Sequence, residues 1–263
     1  YYSHYNNSSL ASSVFVGYKI YQRLTERRLP QQWKQVGTLR NIYAYPIKSC
    51  GPVILDKAEI SLMGIRNGWL RDRTLMVVND QNIFVTARQY PVLLTAHPSV
   101  KSSVLTVAQK APLLGNSKTF DGLREDACNT FILIFLLKGA LPDEVSFNLI
   151  NEASVQDLNG KLEDPITHRN FRPNFVLRGA EPYDEDTWKY IKIGENVFEI
   201  IKPCGRCVLT TIDPETGVRS PKGEPLVTLR RRVTGTTPRM GIQLALRSGP
   251  GGLVSLDDPV YVA

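Results

Sequence analysis

Cys204-Gly205-Arg206-Cys207 places two thiols at a spacing that metal and redox chemistry both use. Three chemistries employ such a C-x-x-C pair. A structural zinc site draws two of its four ligands from one and needs a second set elsewhere. The other cysteines, Cys50 and Cys128, and the histidines, His4, His97 and His168, show no zinc-ligand spacing. A thioredoxin-like redox pair sits at the start of a helix, whose dipole lowers the thiol pKa. Here the run Val208-Leu209-Thr210-Thr211-Ile212 follows, β-branched and strand-like. The third chemistry is a single thiolate ligating a soft metal centre, with the charge of Arg206 beside Cys207 favouring the deprotonated sulfur. A pair of buried, inert cysteines would leave the same pattern. Spacing alone leaves the last two readings open.

The elements around the pair are mostly strands. From Val36 onward short β runs follow one another: Leu39 to Ala44, Val53 to Leu55, Thr74 to Val78, Ile83 to Thr86, Val92 to Ala96 and Val104 to Val107. Asp80-Gln81-Asn82 marks a turn among them. Glu152 to Leu158 has helical character, and the stretch Phe171 to Gly179 reads as a strand after the loop FRPN. Tyr190–Ile193 and Val197–Ile201 form a hairpin turned at Gly194-Glu195-Asn196, Asp213 to Gly217 is a turn, and Val260 to Val262 closes the chain as a strand. The economical architecture is mainly β with minor α. It has an N-terminal segment 1–35, a β-rich subdomain 36–121 and a second β-barrel domain 122–263.

The bulk properties set further limits. At 263 residues a substantial core can be buried. The net charge of +7 admits an anionic partner. The basic clusters are small (Arg23, Arg27 and Arg28; Arg230 to Arg232) and carry no nucleic-acid-binding signature, so nucleic acid is not expected. Four cysteines in a chain this long are no disulfide scaffold and suit a reducing compartment. Phe131 to Leu137 is apolar but too short to span a bilayer and reads as a buried strand or core helix. Leu10 to Tyr21, backed by Arg23, Arg27 and Arg28, reads equally as the end of a truncated membrane anchor or as an amphipathic helix.

The segment Lys202 to Gly217, KPCGRCVLTTIDPETG, resembles the signature of the MOSC-domain family, and within it the mitochondrial amidoxime-reducing components. Other blocks resemble the family in its own order. They are YPIKSC (Tyr45 to Cys50), LRDRTLMVV (Leu70 to Val78), FVTARQYP (Phe84 to Pro91), NEASVQDLN (Asn151 to Asn159), FRPNFVLRG (Phe171 to Gly179), EDTWKYIKIG (Glu185 to Gly194) and DDPVYV (Asp257 to Val262). The resemblance implies a β-rich N-terminal subdomain packed beside a MOSC β-barrel, with a molybdenum–molybdopterin cofactor between them. It implies Cys207 as the protein ligand to molybdenum and the catalytic thiolate. Lys48, Ser49, Arg73 and Arg172 would contact cofactor phosphate or pterin edges, with Gly205 and Arg206 flanking the metal ligand. Lysine as a point charge, serine as a hydroxyl donor and arginine as a forked donor suit those tasks.

The implied activity is reduction of N-hydroxylated compounds, such as amidoximes and hydroxylamines, by oxygen-atom transfer at the Cys-ligated molybdenum. Cytochrome b5 and its NADH reductase would be the electron donors, at the outer mitochondrial membrane facing the cytosol, or in the cytosol if there is no anchor. The alternative within the family is the MOSC module of a molybdenum cofactor sulfurase, whose upstream desulfurase domain binds pyridoxal phosphate. A non-catalytic cofactor-binding module is the third reading. Between Cys128 and Asn151 the chain departs from the family. A short stretch replaces a helix, a strand and a cofactor-lining loop, and Glu144 and Val145 stand where the family has hydroxyl-bearing residues.

Overall fold

The chain divides into Tyr1–Trp33 and Lys34–Ala263. The computed structural model describes residues 29–79, 81, 83–101, 104–109, 118–121, 131–135, 145–232, 237–247 and 251–263. The N-terminal stretch with His4, Arg23, Arg27 and Arg28, together with Cys128 and Glu144, lies outside the described residues. Among the described residues, all strands and helices belong to the second unit.

Along the chain come β1 (Lys34–Ala44), β2 (Val53–Leu55), β3 (Lys57–Ser61), β4 (Gly64–Asn67), β5 (Leu70–Arg71) and β6 (Leu75–Asn79). Then come β7 (Ala96–Lys101), β8 (Val104–Gln109), β9 (Lys118–Asp121), β10 (Phe131–Phe135) and β11 (Phe147–Asn151). Helix α1 (Glu152–Asn159) leads to β12 (Phe175–Arg178), β13 (Tyr190–Ile193) and β14 (Asn196–Gly205). Helix α2 (Leu226–Arg232) precedes β15 (Arg239–Leu246), β16 (Leu253–Ser255) and β17 (Pro259–Val262).

The largest sheet runs β12-β11-β15-β14-β13-β17-β1-β2, and β1 also pairs with β12. That extra pairing closes seven strands into a barrel and leaves β2 as an appendage. Closure removes the unpaired edges that an open sheet would expose. Strands β11 and β12 are parallel, so the chain between them must cross over, and α1 does so. Asn151 caps α1 by accepting from the Ala153 amide at 3.2 Å. The inward positions are apolar: Leu39, Ile42, Leu149, Ile191, Ile242 and Leu244 are fully buried in one core. Phe147, Phe175 and Phe198 meet in it with ring centroids 5.3 to 5.9 Å apart, within the range favoured by aromatic pairs.

The remaining strands form smaller sheets, β16-β3-β4-β5, β7-β8-β9 and β10-β6. Strands do not sort by half of the chain: β1 is a barrel strand, while β16 pairs with β3. A second core lies among Ile47, Cys50, Leu75, Val85, Leu93 and Ile212. It joins the loop after β1 to the segment beyond the cysteine pair. Phe131–Phe135, expected as a strand or core helix, is strand β10 against β6.

Two segments expected as strands are tight 3-10 turns. Pro91–Thr95 is one, opened by Pro91, whose fixed φ and missing amide suit the first turn of a helix. Val208–Thr211 is the other. There Thr210 Oγ1 donates to Cys207 O at 2.9 Å and Thr211 Oγ1 to Val208 O at 2.8 Å, bonds that hold the turn against β-branched preference. The strand expected after the loop FRPN is β12, Phe175–Arg178; ahead of it His168–Phe171 is a 3-10 turn and Arg172 adopts a left-handed backbone before Pro173.

Candidate functional site

The cysteine pair straddles the end of β14. Cys204 is buried on the strand, and its sulfur accepts from Gln243 Nε2 at 3.6 Å. Cys207 is exposed, extended, and stands at the start of the Val208–Thr211 turn. A four-residue turn has little of the macrodipole of a full helix. Exposure therefore separates two thiols that spacing could not: only Cys207 can meet a ligand from outside the fold. Among the described residues no three His, Cys, Asp or Glu side chains gather as a metal site. A metal at Cys207 would take its other ligands from elsewhere.

The loop 45–50 after β1 and the loop 72–74 before β6 are laced together. Asp72 Oδ1 accepts from the Tyr45 amide at 2.6 Å, the Arg73 amide donates to Tyr45 O at 2.7 Å, and the Lys48 amide donates to Leu75 O at 2.8 Å. This lacing gathers the cationic residues. The Arg73 and Arg172 guanidinium carbons lie 5.1 and 4.3 Å from the Tyr45 ring centroid, at cation–π distance. Arg73 pairs with Asp72. Arg172 Nη1 donates to Cys50 O at 2.6 Å, and among the described residues no carboxylate forms an ion pair with it. Burial lowers the Arg172 pKa from its usual value, the sign of a cation short of solvent. Lys48 reaches over the Phe84 ring at 5.5 Å.

Backbone conformation marks the same residues. Ser49, Arg73 and Arg172 have φ of 71°, 51° and 51°. A left-handed backbone costs a residue with a side chain about 1–2 kcal/mol, and such positions concentrate at functional sites. Three residues named from the resemblance thus sit in costly conformations, two of them, Arg73 and Arg172, against the Tyr45 ring.

Arg206 is placed differently. Its Nε donates to Met240 O at 2.8 Å, its Nη1 to Phe171 O at 2.9 Å and its Nη2 to Asn148 Oδ1 at 3.1 Å. The guanidinium is engaged by the protein's own acceptors, and it binds the base of the cysteine segment to β11, β15 and the 168–171 turn. Gly205 ends β14 opposite Arg239. From Arg206 a polar chain runs to the cationic cluster. Asn148 donates its amide to Asn174 Oδ1 at 3.2 Å, and Arg73 Nη1 donates to the same oxygen at 3.4 Å. Asn170 Nδ2 donates to Thr210 O and Ile212 O at 3.2 and 3.3 Å, fastening the turn before Arg172 to the turn after Cys207. The structure therefore links Lys48, Ser49, Arg73, Arg172, Arg206 and Cys207 through one framework.

The sequence alone assigns no role to Tyr45, Asp72, Asn148 or Asn174, although Tyr45, Asp72 and Asn174 lie inside the family-like blocks. Cys50, in the same loop, is buried, and burial pushes its thiol up to about 12, so only its carbonyl takes part. Val145 is partly buried just ahead of β11.

The donor set fits an anionic, phosphate-bearing group with a soft metal. It has an exposed thiol, two guanidinium groups on one aromatic ring, a lysine and a serine. A further polar atom, Tyr45 Oη, is buried without a hydrogen-bond partner among the described residues.

Comparison with known proteins gives this arrangement a class. Residues 36–129 match the MOSC N-terminal beta barrel domain, and residues 138–261 match the MOSC domain. Human mitochondrial amidoxime-reducing component 1 is 32% identical over 307 residues, covering 95% of this chain and 90% of that protein. Human mitochondrial amidoxime reducing component 2 is 30% identical over 306 residues with the same coverage of each, and component 1 of Danio rerio is 30% identical over 286 residues, covering 89% and 87%. The chain belongs to the mitochondrial amidoxime-reducing component family of MOSC proteins. The human alignment is longer than this 263-residue chain, so the relative carries residues that this chain lacks.

Proposed function

We propose that the chain is a molybdenum-cofactor-dependent oxidoreductase that reduces N-hydroxylated compounds, amidoximes and hydroxylamines among them. The observation that carries the reading is the pairing of one exposed thiol, Cys207, with a cationic cluster strained into place by Ser49, Arg73 and Arg172. The names of the relatives, amidoxime-reducing components, supply the reaction class. When bound, the cofactor supplies two-electron, oxygen-atom-transfer chemistry.

The protein's own residues bind and orient. Cys207 would be the thiolate ligand. Arg172, with no carboxylate ion pair among the described residues, and Arg73 would meet phosphate or pterin oxygens through forked donors. Lys48 would add a point charge and Ser49 a hydroxyl. Gly205 and Arg206 would hold the segment that carries Cys207. Cytochrome b5 with its NADH reductase is the proposed electron source, a haem protein whose acidic surface the net charge of +7 suits. The relatives' names make mitochondria the proposed compartment, with attachment at the outer membrane. No helix among the described residues is long and apolar enough to cross a membrane.

The test is molybdenum and pterin content per chain, measured on protein from a cofactor-competent host. About one equivalent is expected. Cys207→Ala should lose molybdenum and amidoxime reduction, and in protein made without cofactor its Tm should match wild type, because the side chain is exposed. Cys204→Ala should keep the metal and lose some stability, because it empties a buried position. Wild-type protein without molybdenum, or two variants that behave alike, would overturn the reading.

A further inference from the structure

We propose that Tyr45 is a binding residue of this site, its buried hydroxyl donating to the phosphate-bearing end of the ligand that Arg73 and Arg172 hold. The inference rests on the cofactor reading but adds a residue to which neither the sequence nor the relatives assign a role. Tyr45 is 1% exposed, and among the described residues its hydroxyl has no hydrogen-bond partner. A buried hydroxyl left unpaired is unfavourable, and packing alone would be served by phenylalanine. The contrast with Tyr43, two residues earlier, is direct: that hydroxyl is paired with His168 Nε2 at 2.8 Å. The fold thus satisfies one tyrosine of the pair and leaves the other open.

The surroundings say which ligand chemistry the open hydroxyl suits. Arg172 and Arg73 lie 4.3 and 5.1 Å from its ring centroid. The nearby carboxylate, Asp72, is occupied by the Arg73 guanidinium and by the Tyr45 amide. Burial raises the phenol's pKa well above its usual value, so the group keeps its proton at neutral pH and can donate it in a hydrogen bond. A protonated donor flanked by two cations suits a phosphate oxygen. The ring meanwhile presents its electron-rich face to the guanidinium groups.

Tyr45→Phe removes the hydroxyl and keeps the ring. Two measurements test the proposal. The first is the rise in Tm that inorganic phosphate gives to protein from a host unable to make the cofactor. The second is pterin retained per chain in protein from a cofactor-competent host. Without ligand, the variant should be as stable as wild type or slightly more so, since an unpaired polar atom is gone. Apparent phosphate affinity should fall about tenfold, as for a lost charge-assisted hydrogen bond, and retained pterin should fall with it. Equal phosphate affinity and equal pterin in the two proteins would overturn the proposal and leave the cofactor reading intact. Tyr45-dependent phosphate binding in a wild type that takes up no pterin would support the proposal and overturn the cofactor reading. A variant less stable than wild type without ligand would show a purely structural hydroxyl and sink the proposal, as would a wild type that responds to neither probe.

Discussion

Replacing Arg206 by Met asks whether that side chain serves the ligand or the scaffold. The resemblance places Arg206 beside the metal ligand as a cofactor contact, whereas the structure gives its guanidinium to Met240 O, Phe171 O and Asn148 Oδ1. Met keeps the apolar stem and removes the donors. Each hydrogen bond from a charged group contributes roughly 1.5–3 kcal/mol. The sum must be discounted, because Arg206 is only partly buried and Phe171 O keeps a second donor, Asn148 Nδ2 at 2.9 Å. A net loss of about 3–5 kcal/mol remains. For a domain of this size that lowers Tm by roughly 10 °C or more. The assay is thermal or urea unfolding of protein made without cofactor, so that loss of a ligand cannot mimic loss of fold. Arg206→Lys should recover little, since an ammonium cannot span three acceptors set in a fork. If Arg206→Met kept the wild-type Tm within a degree or two and lost only cofactor, the scaffold role would be refuted and the contact role restored.

Other consequences arise at single positions. Gly51 closes the cationic loop, and a Cβ there would lie 2.7 Å from His97 Nδ1 and 3.0 Å from Ala96 O; Gly51→Ala should therefore displace the 45–50 loop and reduce pterin content in the cofactor-competent host, while far-UV circular dichroism stays that of the wild type. Glu185 is fully buried and accepts from Ser154 Oγ at 2.8 Å and Asn151 Nδ2 at 3.1 Å, and burial raises its pKa above the usual carboxylate value. A raised carboxyl pKa means that the folded state binds the proton more tightly than the unfolded state. Its contribution to stability is then greatest below the unfolded pKa and declines as pH rises from there through the folded pKa. Urea unfolding across that window should show wild type losing stability relative to Glu185→Gln as pH increases, and a difference that does not vary with pH would remove the burial argument.

Much of the architecture could be read from local pattern because local chemistry decided it. The hairpin of β13 and β14 turns at Gly194, whose φ of 56° glycine supplies without strain. The alternation in β1 puts Ile42 and Ala44 in the barrel core and Tyr43 on the other face, where it clusters with Val176 and with Tyr45, the first residue after the strand. Where local preference and long-range bonding disagreed, bonding won. Val208-Leu209-Thr210-Thr211 reads as a strand by side-chain shape, yet Asn170, about 40 residues upstream, draws the Thr210 carbonyl into its own hydrogen bond and the threonine hydroxyls close the turn. Barrel closure by β1 against β12 joins residues more than a hundred positions apart and leaves no mark on either strand.

The site divides along the same line. Residue type identified the groups that can bind a ligand, a thiol, a lysine, a serine and arginines, because chemistry is carried by type. Type could not say which of those groups the protein would use on itself. Arg172 and Arg206 are the same residue, each in a block that resembles the family. Among the described residues, one lies over Tyr45 and donates to a backbone carbonyl, that of Cys50, whereas the other donates to Met240 O, Phe171 O and Asn148 Oδ1. The difference is made by Asn148, Asn174 and the backbone of Phe171, ordinary residues of strands and turns whose roles exist only once the barrel has closed. The same logic separates Cys207 from Cys204: β14 buries one sulfur against Gln243 and then ends, which leaves the other in the open. A side chain becomes available to a ligand here when the fold declines to satisfy it. That criterion selects Arg172, Cys207 and Tyr45 from the basic, sulfur-bearing and aromatic residues of the site, and sets Arg206 and Cys204 aside.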